Sequence, residues 1–328
     1  MEIDLENIAK ALVAPGKGIL AADESFPTIE KRFLSIGISS TEDLRREYRE
    51  LLFTTPGIEE FISGVIMFDE TIKDKMSNGI SFPDFLVKKG IAPGIKVDMG
   101  MRDMVGYPGD KLTDGLSGLA DRLIEYKSLG AKFAKWRAAF MISEVNPSIQ
   151  CVEENAMRLA IYAKICQENG IVPIVEPEVL MDGNHSIDKC YETTRSILRI
   201  VFLKLKDKSV NLKGMLLKPN MIVPGKDSGD KSTSEIIGQK TIEVMKEVIP
   251  IEVPGIVFLS GGQTPDEATN NLREMNKIGG FWQLSFSFGR ALQDEALKTW
   301  AGNAQNIKLA QEKFHDSARM NSQARYGK

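Results

Sequence analysis

Lys218 lies in the apolar segment GMLLKPNMI (214–222), where an ammonium group is costly unless it is paired or does chemistry. A lysine amine that loses its proton in such a setting can attack a carbonyl carbon and form a Schiff base. Other apolar runs carry charge in the same way. Asp23 closes GKGILAAD (16–23) with Glu24 next to it, and Lys96 and Asp98 close PGIKVD (93–98). Lys135 and Arg137 interrupt KFAKWRAAF (132–140), and Glu176 and Glu178 interrupt IVPIVEPEVL (171–180). One such lysine alone would read most simply as an edge residue. Recurrence at nearly every run asks for a shared cause. Two fit: a structural ion-pair network, or a reactive amine set among carboxylates that move protons.

Two glycine-bearing turns weigh toward the second. Ser260-Gly261-Gly262 offers a hydroxyl and backbone amides that no side chain shields, which suits phosphate oxygens. Ser287-Phe288-Gly289-Arg290 adds a hydroxyl, a glycine and a guanidinium able to grip phosphate through two bonds. Each glycine alone would mark a tight turn; together with the lysines they indicate a phosphorylated small molecule.

Other chemistries find less support. The two histidines, His185 and His315, and the three cysteines, Cys151, Cys166 and Cys190, show no metal-ligand spacing. No metal or cofactor is expected. The odd cysteine count suits a reducing, cytoplasmic setting. Acidic and basic residues nearly balance at a net charge of −3, which leaves no electrostatic footprint for nucleic acid or an anionic membrane. No apolar run reaches the roughly 18 residues that cross a bilayer, and MEIDLENIAK lacks the features of a signal peptide. The segment from Gly225 to Ser232 has the wrong spacing for a nucleotide-binding P-loop, and no G-x-G-x-x-G follows the first apolar run. Met99, Met101 and Met104 read as adaptable packing.

Elements must position these groups. The four runs above, with 64–70, 214–222, 255–262 and 282–289, are near-continuous in apolar or small residues, as strands buried on both faces should be. Amphipathic patterns cover about 41–53, 115–129, 187–206, 233–248 and 290–318, and 151–170 carries an apolar stripe that Gly170 ends. Thr264-Pro265-Asp266-Glu267 predicts an N-cap, a first-turn proline and a capping-box glutamate, so a helix should follow the seventh strand. Eight strands alternating with helices suggest one (β/α)8 TIM barrel domain over 1–328, with an N-terminal helical extension and a C-terminal helix and short tail. A doubly wound open sheet is the competitor. In a barrel, all the charged positions named above gather at the C-terminal ends of the strands.

The segments PGKGILAADES, GIKVD, FAKWR, NGIVPIVEPE, LLKPNM, FLSGGQ and FGRALQ occur in this order between about residues 5 and 318. In them the chain resembles the class I, Schiff-base fructose-1,6-bisphosphate aldolases. That resemblance implies reversible cleavage of fructose 1,6-bisphosphate to dihydroxyacetone phosphate and glyceraldehyde 3-phosphate on a (β/α)8 barrel, without metal or cofactor. It further implies that Lys218 forms the Schiff base and that Glu176 serves carbinolamine formation and dehydration, with Glu178 beside it in the catalytic set. Lys135 would hold positive charge near the amine, Arg137 would contact substrate, and Asp23 would take the C4 hydroxyl proton. Ser25, Thr28, Arg32 and Lys96 fall where the family binds the far phosphate or sugar hydroxyls. Ser260, Gly261, Gly262, Ser287, Gly289 and Arg290 match its ketose-side phosphate site.

A free lysine titrates near pH 10.4, so burial and the Lys135 charge are expected to release the Lys218 amine. Animal members of the family carry a C-terminal tail ending in tyrosine that helps protonate the enamine; the nearby tyrosine here is Tyr326. The resemblance also implies a cytoplasmic homotetramer. Two other functions compete: a transaldolase-like Schiff-base barrel, and a non-catalytic phosphosugar-binding protein on the same fold.

Overall fold

The computed structural model describes residues 4–328. Eight parallel strands close a barrel: β1 (Gly18–Ala22), β2 (Ile62–Met67), β3 (Ala92–Lys96), β6 (Phe133–Phe140), β7 (Val172–Val179), β8 (Leu216–Leu217), β9 (Gly255–Phe258) and β10 (Gln283–Phe288). The remaining two, β4 (Met101–Asp103) and β5 (Lys111–Thr113), form an antiparallel hairpin in the connection after β3. Around the barrel strands run to neighbours in chain order, and β1 meets both β2 and β10 to shut it. The open-sheet alternative is thereby excluded.

Helices cover the outside. In chain order they are α1 (Leu5–Leu12), α2 (Phe26–Leu34), α3 (Glu42–Phe53), α4 (Asp69–Lys73), α5 (Phe82–Lys88), α6 (Leu119–Ser128), α7 (Ile149–Glu168), α8 (Ile187–Asp207), α9 (Ser234–Val248), α10 (Pro265–Ile278), α11 (Arg290–Trp300) and α12 (Ile307–Ala324). α10 starts as its sequence predicts. Thr264 accepts from the Glu267 amide, the Glu267 carboxylate accepts from the Thr264 amide at 2.8 Å, and Pro265 fills a position whose missing N–H costs nothing.

Side-chain alternation along the strands explains how one sheet makes both a core and a site. Ile19 and Ala21 of β1, Phe133 of β6, Val172 and Ile174 of β7, Leu216 of β8 and Val257 of β9 form one buried cluster with Ala9, Leu12 and Val13. Those last three bring α1 and the residue after it beneath the barrel. Continuing the same period of two toward the strands' C-terminal ends gives Asp23, Lys135, Glu176 and Lys218. On these four strands the inward face turns from apolar to charged toward the C-terminal end. Gly94 of β3 belongs to this packing, because a Cβ there would overlap the Phe133 ring. A second and larger core cluster lies between the outer faces of the strands and the helices.

Candidate active site

Lys218 follows the two-residue ladder segment of β8. Its amide still donates to the Val175 carbonyl at 2.8 Å, but Pro219 has no N–H to continue the ladder. That places the side chain, 5% exposed, where the apolar barrel floor ends. Its Nζ lies 3.1 Å from Glu176 Oε1. The other oxygen of that carboxylate lies 3.3 Å from Lys135 Nζ, so one glutamate bridges two lysines. Lys135 reaches Asp23 Oδ2 at 2.7 Å and stands 3.9 Å from Asp98 Oδ2. Asp98 in turn pairs with Lys96 and accepts from the Arg137 amide at 3.2 Å, and Arg137 pairs with Glu178.

This chain of alternating charges lets a buried array exist at all, since an ion pair stripped of one member costs about 3–5 kcal/mol. Burial by itself would raise the Asp23 pKa, but Lys135, Lys218 and Lys96 outweigh it and hold the carboxyl well below the usual range. Burial likewise opposes charge on Lys135, and the carboxylates of Asp23, Glu176 and Asp98 overcome it, so its pKa stands above the ordinary value. The site therefore contains a lysine held protonated, a carboxylate held ionised, and a second amine within reach of a proton carrier.

Two cavities open beside the array. One of about 580 Å³ is lined by Lys218, Glu176, Glu178 and Arg137 together with Ser260, Gly261, Gly262, Ser287, Gly289, Arg290 and Arg32. Arg290 donates to the Gly261 carbonyl at 2.7 Å, which ties the turn after β9 to the start of α11. Ser287 Oγ is buried there with no hydrogen-bond partner, a donor available to an anion. Gly261 holds φ at +54°, a backbone conformation that turns the chain sharply at small steric cost only for glycine. The other cavity, about 810 Å³, is lined by Ser25, Thr28, Lys96, Asp98 and Arg137. Ser25 and Thr28 hydroxyls lie 3.1 Å apart at the start of α2.

Every residue to which the resemblance assigns catalysis or substrate binding thus lies on one of these two cavities or on the ion network between them. Arg137 lines both. Arg32 is separated from Ser25, Thr28 and Lys96 and faces the first cavity instead. The reason is Glu24, whose carboxylate holds Arg32 on one oxygen and the buried Arg49 on the other. Gln293 completes this cluster by accepting from Tyr48 at 3.1 Å and donating to the Ala21 carbonyl at 2.7 Å. Arg49 sits in an ordinary amphipathic helix and carries no sequence signal; Gln293 ends the FGRALQ segment, but its type and spacing assign it no role. Asp98 and Glu24 were visible as charges at strand ends but without a role. Tyr326 is at the other end of the barrel, against Gly16 just before β1. Among the described residues no group of three or more His, Cys, Asp or Glu side chains could hold a metal ion.

The sequence model of the family described as fructose-bisphosphate aldolase class-I matches residues 4–328. A probable fructose-bisphosphate aldolase class 1 of Xanthomonas axonopodis pv. citri is 49% identical over 326 residues, covering 99% of this chain and 98% of the relative. Cytosolic fructose-bisphosphate aldolase 6 of Arabidopsis thaliana is 51% identical over 98% of this chain and 91% of its own length. Among solved structures, a Plasmodium falciparum fructose-bisphosphate aldolase, crystallised with TRAP and a small-molecule inhibitor, superposes with a TM-score of 0.97 at 46% identity. That match covers 99% of this chain and 94% of the other.

Proposed function

The chain belongs to the class-I fructose-bisphosphate aldolase family, and from that premise we propose that it cleaves fructose 1,6-bisphosphate reversibly to dihydroxyacetone phosphate and glyceraldehyde 3-phosphate, with Lys218 as the reacting amine. The observation that carries this reading is the Glu176 carboxylate set 3.1 Å from Lys218 and 3.3 Å from Lys135. One glutamate can thus move the protons of carbinolamine dehydration while a permanent cation stands beside it.

The steps follow from these positions. The Lys218 amine attacks the C2 carbonyl of the ketose; Glu176 protonates the carbinolamine hydroxyl, and water leaves. The resulting iminium draws electrons from the C3–C4 bond. Asp23, held ionised by Lys135, accepts the C4 hydroxyl proton as that bond breaks and the aldehyde product departs. The ketose phosphate would be gripped by Ser260, Gly261, Gly262, Ser287, Gly289, Arg290 and Arg32. The far phosphate and hydroxyls would meet Ser25, Thr28, Lys96 and Arg137, with Glu178 orienting Arg137. Oriented binding of both ends is itself worth a large part of the rate.

The test compares substrates. Purified protein should release both triose phosphates from fructose 1,6-bisphosphate and should not transfer dihydroxyacetone between sugars. Transfer without release would support the transaldolase-like alternative, and thermal stabilisation by the sugar without product would support a binding protein. A homotetramer in the cytoplasm is proposed from the family resemblance and from the cytosolic names of the Arabidopsis relatives. Light scattering on the full chain reads the subunit number directly.

A further inference from the structure

Met181 lies just beyond the end of β7 and lines the cavity that contains Lys218, Arg290 and the Ser260-Gly261-Gly262 turn. Its sulfur packs on that turn: a Cβ built on Gly262 would stand 3.2 Å from Met181 Sδ. The residue is fixed from behind, because its carbonyl accepts from the Lys226 amide at 2.9 Å. The residue is only partly buried and lines the cavity, the side from which an oxidant would meet it.

The thiols offer an oxidant far less. Cys151, Cys166 and Cys190 are 1%, 0% and 1% exposed. The thiolate is the reactive form of cysteine, and burial pushes Cys151 and Cys190 up to about 11 and Cys166 higher still. A thioether needs no such deprotonation. Met99 and Met101 are more exposed than Met181, but they line the second cavity, away from the glycine turn.

We propose that Met181 is a peroxide-sensitive modification site whose oxidation weakens binding of the ketose-side phosphate, an inference that rests on reading the Ser260-Gly261-Gly262 turn as the phosphate cradle. The co-reactant is a hydroperoxide. A sulfur lone pair attacks its terminal oxygen, the O–O bond breaks, and a proton moves to the departing oxygen, which leaves as water or an alcohol. Sulfur is oxidised to the sulfoxide as the peroxide is reduced. The new oxygen carries partial negative charge and accepts hydrogen bonds. Set against Gly262, it competes for the amides of the turn and repels the phosphate oxygens, while Lys218 and Glu176 are left as they were.

The experiment treats the full-length protein and its Met181→Leu and Met99→Leu/Met101→Leu variants with hydrogen peroxide, and compares each with its own untreated sample. Peptide mass spectrometry locates the added oxygen. The expected result is a KM for fructose 1,6-bisphosphate raised about tenfold in the wild type and in the double variant. Met181→Leu should show no such change, and a methionine sulfoxide reductase should restore the wild type. Full oxidation of Met181 with KM unchanged would overturn the proposal, as would an equal rise in Met181→Leu. Untreated Ser260→Ala and Arg290→Gln separate the two layers. If their KM is normal, the cradle reading itself fails; if it is raised while oxidised Met181 has no effect, only the present inference fails.

Discussion

At the scale of single residues, the site is a set of charges that define one another. Lys135 is the hub, with Asp23 at 2.7 Å and Glu176 at 3.3 Å. Asp23→Asn keeps the shape of the side chain but removes the proton acceptor. Steady-state kinetics should show kcat lower by about 10²- to 10⁴-fold, while the variant still forms the Schiff base with dihydroxyacetone phosphate. A variant that cleaves normally would remove Asp23 from the mechanism. The same charges fix the pH dependence of stability. Asp23 has a lowered folded-state pKa, so its contribution is complete above the unfolded value near pH 4 and is lost as pH falls below it. Lys135 has a raised one, so its contribution is complete below about pH 10 and is lost only as pH rises further. Denaturant midpoints across pH should therefore fall at the acid end in the wild type, and fall less steeply there in Asp23→Asn. Such charges are the most legible part of this sequence, because a buried lysine or aspartate in an apolar run stands out by cost alone. Arg32 was legible as a residue but not as a position, since Glu24 and Arg49 steer it through a contact that no local pattern records.

At the scale of elements, the closing device is the end of α12. Arg325 is 8% exposed and takes no carboxylate partner among the described residues. It donates to the carbonyls of Val13, Ala14, Lys17 and Leu284 and to the Gln283 side chain, so it joins the N-terminal rims of β1 and β10. Desolvation lowers its pKa to about 10. Once it is gone, the Ala14 and Lys17 carbonyls keep the Lys17 amide and the Ser285 hydroxyl as donors, while its bonds to Val13, Leu284 and Gln283 are lost. Arg325→Ala should cost about 3 kcal/mol or more, read as a lower thermal midpoint, with cleavage kinetics unchanged at moderate temperature. An unchanged midpoint would mean that the latch contributes nothing. Strand periodicity located all eight barrel strands, yet element boundaries escaped it at several places. GMLLKPNMI reads as nine strand residues, but only Leu216–Leu217 join the ladder, because Pro219 cannot donate. The 290–318 pattern reads as one helix, but Ala301 and Gly302 both take positive φ and split it into α11 and α12. The β4–β5 hairpin is three residues a side around a methionine-bearing loop, too short for alternation to reveal.

At the scale of the whole molecule, a closed barrel puts eight strand ends into one ring, which is how residues from 25 to 290 in the sequence reach a single pair of cavities. Lysines and carboxylates carry the proposed chemistry, and no cluster of metal-binding side chains stands among the described residues. Cleavage should therefore survive incubation with excess EDTA, followed by continuous assay of triose phosphate release; loss that zinc restores would point to a different reaction. The most direct measurement of the central claim is reductive trapping. Borohydride added in the presence of dihydroxyacetone phosphate should fix the ketose covalently to the peptide that contains Lys218, and Lys218→Met should abolish both adduct and cleavage. An adduct on Lys135 or Lys96, or full activity with no adduct at Lys218, would contradict the account.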